Sequence, residues 1–480
     1  METTKPEDRV PLFQKLVYGS GAFVNNLLAG SIGGMMIVLN LGLGMNPALV
    51  GLLGALPRFF DALTDPLMGY ISDNTRTRWG RRRPYIFVGA ILVGIIFIAL
   101  WQLPEGQSET FYFWYFLIGS LAFYLAYTIF ATPWVALGYE MTPDYNERTR
   151  LMGTQNFIGQ LAYFIPPWLL LIMQWDVLFD DMVEGAAGVA IVIGVFVIAA
   201  GVLPAIFLRE RVPSGNPGDK AQAAKTIGIS ARVADFALGF YRALKFLPFL
   251  KLCIATFLVF NGFILIAAFQ TYVIIYYVFD GDQVAGATYA GYAGTVATFS
   301  TFGVIAFITW VGTKIGKRKA FALSTAISMI GYALKWFCYS PEYPILVLLP
   351  APLIAFGLGG LFTLMPSMMA DVVDMDELKT NQRREGMFGS IYWWVVKLGM
   401  AAALAGGGFL LNATGFDVAL GGDQSERTIV LLRLFDAFVP VVASGIAIWA
   451  VATFGITKEK AREIRRELEG RRGVVPSVSE

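Results

Sequence analysis

Twelve stretches of this chain are apolar and long enough to cross a bilayer, and no other feature limits the possible folds as strongly. They fall roughly at 15–42, 48–73, 84–103, 111–139, 149–174, 186–208, 247–279, 284–311, 319–339, 343–370, 385–412 and 428–454. A hydrocarbon core about 30 Å thick takes roughly 20 helical residues to span, so each run reads as one membrane helix. Mean hydropathy is +0.60, and 56% of residues are hydrophobic against 15% charged. A soluble protein this apolar would be unusual. The expectation is an all-α membrane protein with twelve transmembrane helices.

The charges between the runs set an orientation. Lysine and arginine gather around 76–83, 148–150, 209–251, 314–319 and 379–384, and again after 457. The alternate loops carry acids: Glu105 and Glu109, then Asp176, Asp180, Asp181 and Glu184, then Asp280 and Asp282. Basic loops stay on the cytoplasmic side, so both termini are expected there, in a multi-pass protein of the plasma membrane (the inner membrane if the source is bacterial). The N-terminal METTKPEDRVP lacks a signal-cleavage pattern, so the first run is expected to remain a membrane helix. The net charge of +2 gives no case for nucleic acid.

The side-chain inventory removes several chemistries. There is no histidine, and the two cysteines, Cys253 and Cys338, lie in apolar runs. That argues against histidine relays, a serine–histidine–aspartate nucleophile and a disulfide or metal framework. Without a large soluble domain either, an enzyme is disfavoured. A non-transporting membrane sensor would bind ligand yet show no ion-driven uptake.

The longest connection begins RERVPSGNPGDK and divides the runs six and six. Four parts are expected: a six-helix bundle over 1–208, a cytoplasmic linker over 209–246 with an amphipathic helix along the membrane face, a second bundle over 247–456, and a cytoplasmic tail over 457–480. In the tail, Ala461, Ile464 and Leu468 form a thin apolar stripe, which suggests a surface helix. The halves repeat at an offset of about 236. Arg78-Trp79-Gly80-Arg81-Arg82-Arg83 then falls on Lys314-Ile315-Gly316-Lys317-Arg318-Lys319, and Asn25 on Asn261. A parallel repeat of two six-helix halves is the architecture of the major facilitator superfamily, with a central cavity between the halves.

The most informative stretch is PRFFDALTDPLMGYISDNTRTRWGRRRP, Pro57 to Pro84. Asp61 and Asp65 are four apart and share a helix face, with Arg58 one turn before them. A carboxylate at membrane depth costs roughly 2.5–3.5 kcal/mol on insertion scales, and such residues mark function by default. Two adjacent carboxylates also repel, unless a cation binds between them. The stretch reads as a coupling-ion site followed by a basic cytoplasmic gate loop.

This helix, the loop RWGRRRP, the stretch YTIFATPW and the later WWVVKLG resemble the glycoside-pentoside-hexuronide:cation symporters, the melibiose permease-like branch of the major facilitator superfamily. The resemblance covers most of the chain. It implies a cation site of Asp61, Thr64, Asp65 and Thr128, with Lys397 as a balancing ammonium. Oxygen ligands of this kind suit a hard monovalent cation, sodium or a proton, and no other cofactor is implied. At positions where galactoside-binding members carry aspartate, aspartate and arginine, this chain has Asn26, Ala131 and Asn156. The implied substrate site is therefore neutral: Asn25, Asn26, Tyr127, Trp134, Asn156, Gln160, Asn261 and Trp393, with Tyr272 nearby. Arg58, Arg78, Arg81, Arg148 and Arg383 are candidate gate residues. The expected partners are a small molecule, a monovalent cation and membrane lipid, and the expected state is a monomer. The expected activity is cation-coupled symport of a small, neutral glycoside by alternating access, with a lysolipid or other amphiphile as the alternative cargo.

Overall fold

The computed structural model of the protein describes residues 9–104, 106–142, 145–210, 241, 243, 245–381 and 385–471. Among these, regular structure is helical, and the sole extended pairing is an isolated bridge between Thr77 and Gly80. Among the described residues, eleven helices are long and apolar enough to cross a membrane. Pro47–Asn74, 28 residues long, completes the twelve; its own Arg58, Asp61 and Asp65 dilute its apolarity. The expected helix within the 209–246 linker falls largely on 211–240, outside the described residues.

The chain forms two compact units. The first comprises Met1–Pro213, Ile274–Thr295 and Leu404–Ile429. It contains α1 (Leu12–Met35), α2 (Ile37–Leu41), α3 (Pro47–Asn74), α4 (Arg83–Leu100), α5 (Glu109–Glu140), α6 (Tyr145–Leu161), α7 (Leu169–Met173), α8 (Met182–Gly201) and α9 (Leu203–Phe207). Helix starts follow capping chemistry. The Asn46 side chain accepts the Ala48 N–H before α3, with Pro47 as the first helical residue, and Ser108 accepts the Phe111 N–H before α5. Once inserted, helices in lipid gain little from apolarity against one another and pack through small residues instead. A Cβ on Gly89 would stand 2.5 Å from the Phe130 nitrogen, and Cβ atoms on Gly94 and Gly194 would each lie 2.8 Å from the other's carbonyl oxygen. These glycines bring α4 close to both α5 and α8.

The second unit comprises Ser214–Val273, Val296–Ala403 and Val430–Glu480. Helices α10 (Leu247–Val273), α12 (Lys317–Cys338) and α13 (Pro350–Thr380) lie within it. Parts of α11 (Gln283–Ile315), α14 (Glu385–Ala413) and α15 (Glu426–Ala452) also belong to it, as does the tail helix α16 (Lys458–Arg471). Its core gathers Phe249, Phe321, Met365, Phe388 and Ile391, each fully buried.

The tail stripe has a definite use. Ile464 and Leu468 are buried in this core. The Lys458 ammonium donates to the carbonyls of Thr313 and Lys314, and Arg471 reaches the Leu378 carbonyl and Asn381 Oδ1. Since α11 and α13 leave carbonyls unpaired at their C-termini, a basic helix laid across them supplies the missing donors.

Candidate functional site

In the first unit α3 and α5 run side by side and bring oxygen atoms together. The Thr128 hydroxyl lies 2.9 Å from Asp61 Oδ1 and 3.1 Å from Asp65 Oδ1. Thr132, one turn further along α5, donates to the same Asp65 oxygen at 3.2 Å. Thr64 Oγ1 sits 3.3 Å from Thr128 Oγ1 and donates to the Asp61 carbonyl at 3.2 Å. Asp61 and Thr128 are fully buried. A threonine has one hydroxyl hydrogen, so Thr128 satisfies only one of its two carboxylates at a time. The cluster thus converges two anionic and several neutral oxygens, a donor set suited to a hard cation.

Arg58 sits beside this cluster without forming an ion pair to Asp61 among the described residues. Its guanidinium carbon lies 4.8 Å from the centre of the Tyr124 ring, and its buried Nε has no hydrogen-bond partner. With Ser120 and Tyr124 it lines a small pocket closed by Ile32, Phe116 and Leu404. Lys397 lies on α14 in the second unit, partly buried, beside buried Val396.

The neutral polar residues fall into two groups. In the first unit Tyr127 donates to Asn25 Oδ1 at 2.7 Å, and Asn25 donates to Asn26 Oδ1 at 3.2 Å, joining α1 to α5 in one chain. Asn26 presses against Gly159 of α6, where a Cβ would be 2.9 Å from its amide nitrogen. On that helix Asn156 is exposed and Gln160 is partly buried, and neither has a side-chain hydrogen bond among the described residues. Trp134 differs: it is buried, stacks on Tyr18 and Phe130, and donates its indole N–H to the Tyr18 carbonyl. That donor is committed to packing. In the second unit Asn261 donates to the Phe257 carbonyl and leaves a buried Oδ1 without a partner. Trp393 is half exposed, and Tyr272 is buried.

The basic loop is fixed from two sides. Arg81 and Arg82 reach Glu140 Oε1 at 2.6 and 2.9 Å. The Glu210 carboxylate accepts the backbone N–H groups of Arg81, Arg82 and Arg83 at 2.8, 2.7 and 3.0 Å, an anion on the open N-terminus of α4. Gly80, at φ +108°, makes room: a Cβ there would stand 2.6 Å from Glu210. Arg78 is exposed. In the second unit Lys317, the repeat partner of Arg81, pairs with Asp371 at 2.7 Å. Arg383 and the side chain of Arg148 lie outside the described residues. Neighbouring Glu147 accepts from Lys15 at 2.6 Å and from the Val10 N–H at 3.1 Å. Burial pushes this carboxyl up, but these bonds outweigh it and hold it below the usual glutamate range.

A family model described as MFS/sugar transport protein matches residues 18–458. The chain belongs to that family. Its members are transporters, not enzymes. The chain is 23% identical to an isoprimeverose transporter of Lactiplantibacillus pentosus, covering 94% of this chain and 90% of that protein. It is 21% identical to sodium-dependent lysophosphatidylcholine symporter 1 of Xenopus tropicalis, over 86% and 81%. Among solved structures, it resembles a bacterial homolog of the human lysosomal transporter Spinster in an inward-facing, unoccupied conformation. The TM-score is 0.67 at 14% identity, covering 94% and 98% of the two chains, a likeness of fold.

Sequence reasoning passed over three parts of this MFS transporter. Thr132 joins the oxygen cluster, and its i, i+4 spacing from Thr128 was the available signal. Glu210 closes the basic loop, with nothing local to mark it. Lys335 of α12 and Asp436 of α15 form an ion pair at 2.8 Å with both side chains 1% exposed. Tyr332 and Tyr339 flank the ammonium, with ring centres 5.9 and 5.6 Å away.

Proposed function

We propose that this protein is a secondary symporter that couples a monovalent cation, sodium or a proton, to a small neutral glycoside by alternating access. The observation carrying this reading is the convergence of Asp61, Asp65, Thr64, Thr128 and Thr132 at membrane depth. Two buried carboxylates repel each other, and a bound cation relieves that repulsion. Cation binding then favours substrate binding, and the coupling is reciprocal. Lys397 is assigned as the charge that balances the acids in the cation-free state. Asn25, Asn26, Tyr127, Asn156, Gln160 and Asn261 offer neutral donors and acceptors for sugar hydroxyls, and Trp393 an aromatic face for an apolar sugar surface. Trp134 supports the cavity wall. Both termini are assigned to the cytoplasmic side of the plasma membrane (the inner membrane if the source is bacterial), and the working unit to a monomer.

A lysolipid cargo is the second reading, favoured by the relative named for sodium-dependent lysophosphatidylcholine symport. A zwitterionic headgroup needs a charged partner, which the amide-rich set lacks. The deciding experiment is uptake into proteoliposomes under imposed sodium or proton gradients, with glycosides, uronides and lysolipids compared. Gradient-driven accumulation of a glycoside supports the proposal. Accumulation of lysolipid alone selects the second reading, and binding without accumulation selects a sensor.

A further inference from the structure

Within the second unit, the seam between α10 and α14 leaves one polar atom unpaired. Phe249 meets Phe388 edge to face with ring centres 4.9 Å apart, and the Thr256 hydroxyl donates to the Tyr392 hydroxyl at 3.4 Å. Further along α10 comes Asn261. Its amide nitrogen donates to the Phe257 carbonyl, one turn back on the same helix, and its Oδ1 is buried without a partner. Across the seam stands Gly399 of α14. A Cβ there would lie 3.0 Å from Oδ1 and closer still to Nδ2, so glycine leaves the room this amide occupies. Turning the amide over would set its oxygen against the Phe257 carbonyl, acceptor against acceptor. Asn261 therefore offers a partner its oxygen alone, which accepts and cannot donate.

Buried acceptors are nearly always paired, and an orphan calls for a missing partner. The first unit sets an amide against a glycine too, with the opposite polarity. Asn26 faces Gly159 of α6, its Oδ1 already accepts from Asn25, and its N–H groups remain. We propose that Asn261 Oδ1 accepts a hydrogen bond from a hydroxyl of the cargo, and that Gly399 is the positioning residue that keeps the oxygen turned to it. The transporter then selects cargo with a free hydroxyl at one fixed position and rejects the same molecule alkylated, deoxygenated or fluorinated there. This rests on the proposed symport of a hydroxylated cargo. Asn261 as a whole is partly exposed, so a side-chain shift of the kind common on binding uncovers its oxygen. A hydroxyl arriving there removes a deficit that the empty protein carries, so the bond favours the loaded state over the empty one.

The test is binding to the purified full-length protein in sodium chloride. One set of probes is the methyl β-glycosides of glucose, galactose and xylose, each beside analogues with single hydroxyls replaced by hydrogen or fluorine. The other is lysophosphatidylcholine beside its 2-deoxy form, which lacks the glycerol hydroxyl. At one position both replacements should weaken binding about tenfold, the worth of one hydrogen bond. Fluorine should fare no better than hydrogen there, because it cannot donate. In Asn261→Leu and Asn261→Met those replacements should cost nothing, while replacements elsewhere keep their wild-type effect. Gly399→Ala should lose the same discrimination, since its Cβ displaces the amide; a change that only loosened the seam would weaken all analogues alike. Without cargo, the two Asn261 variants should melt no lower than the wild type. If both melt lower, the oxygen is already paired in the empty protein and the inference is overturned. Discrimination that survives unchanged in the folded Asn261 variants also overturns it, while binding of a methyl glycoside still upholds the glycoside reading. Binding of lysophosphatidylcholine alone ends the glycoside reading, and the 2-deoxy comparison then decides the role of Asn261 by the same criterion.

Discussion

Replacing Asp61 by asparagine isolates the electrostatics of the oxygen cluster. The side chain is 1% exposed, and its Oδ1 accepts the Thr128 hydroxyl at 2.9 Å. Asparagine has nearly the same volume, and its amide oxygen can accept the same hydroxyl, so the packing of α3 on α5 should survive. The change removes one unit of negative charge. A cation roughly 4 Å from that charge, at an effective dielectric of about 20, loses about 4 kcal/mol, or about three decades of affinity. The empty protein behaves oppositely: a carboxylate at membrane depth costs roughly 2.5–3.5 kcal/mol on insertion scales, so the neutral variant should unfold no earlier than the wild type. In proteoliposomes, Asp61→Asn is expected to lose gradient-driven accumulation, and its melting temperature should stop rising with added cation. Wild-type accumulation, with a half-saturating cation concentration within about threefold of normal, would refute the reasoning.

Three further outcomes test other parts of the structure. Lys335→Ala leaves Asp436 buried without its partner and should cost about 3–5 kcal/mol, seen as a lower melting temperature; the double change Lys335→Met with Asp436→Leu should recover most of it, because apolar replacement of a whole buried pair is often neutral or stabilising. Glu147, whose folded-state pKa is held below the usual glutamate range, contributes stability that is present above its ordinary pKa near 4.5 and is lost as pH falls through the lower folded value. Glu147→Gln should lower stability at neutral pH by about 1.5–3 kcal/mol and flatten the acid limb of a stability–pH curve. Asn26→Asp should cut affinity for a neutral glycoside by one to two decades, about 1–3 kcal/mol, because an ionised carboxylate cannot donate to a sugar oxygen. Cation binding without substrate should stay near wild type. Unchanged glycoside affinity would make Asn26 a packing residue between α1 and α6.

The sequence by itself determined the twelve helices, because spanning length and apolarity are properties of each run alone. It also determined that α3 is exceptional, since two acids and an arginine in one apolar run need no structure to be noticed. The shared face of Asp61 and Asp65 followed from helical period. Of what faces those acids across the helix pair, only Thr128 was in view, through the family resemblance. Thr132 was one of many threonines until α5 was laid against α3. Trp134 offered an indole to the cavity on paper, and only packing showed that N–H given to the Tyr18 carbonyl. Lys335 and Asp436 are 101 residues apart, and each alone reads as a charge that could snorkel to an interface; the fold pairs them. The tail stripe read as that of a surface helix, yet Ile464 and Leu468 are buried. The common reason is that a membrane helix apolar on every side carries little record of which face turns inward. Lipid and protein interior are equally apolar, so helix orientation is set by small residues, hydrogen bonds and charge pairs between distant segments, and those exist only once the helices have met.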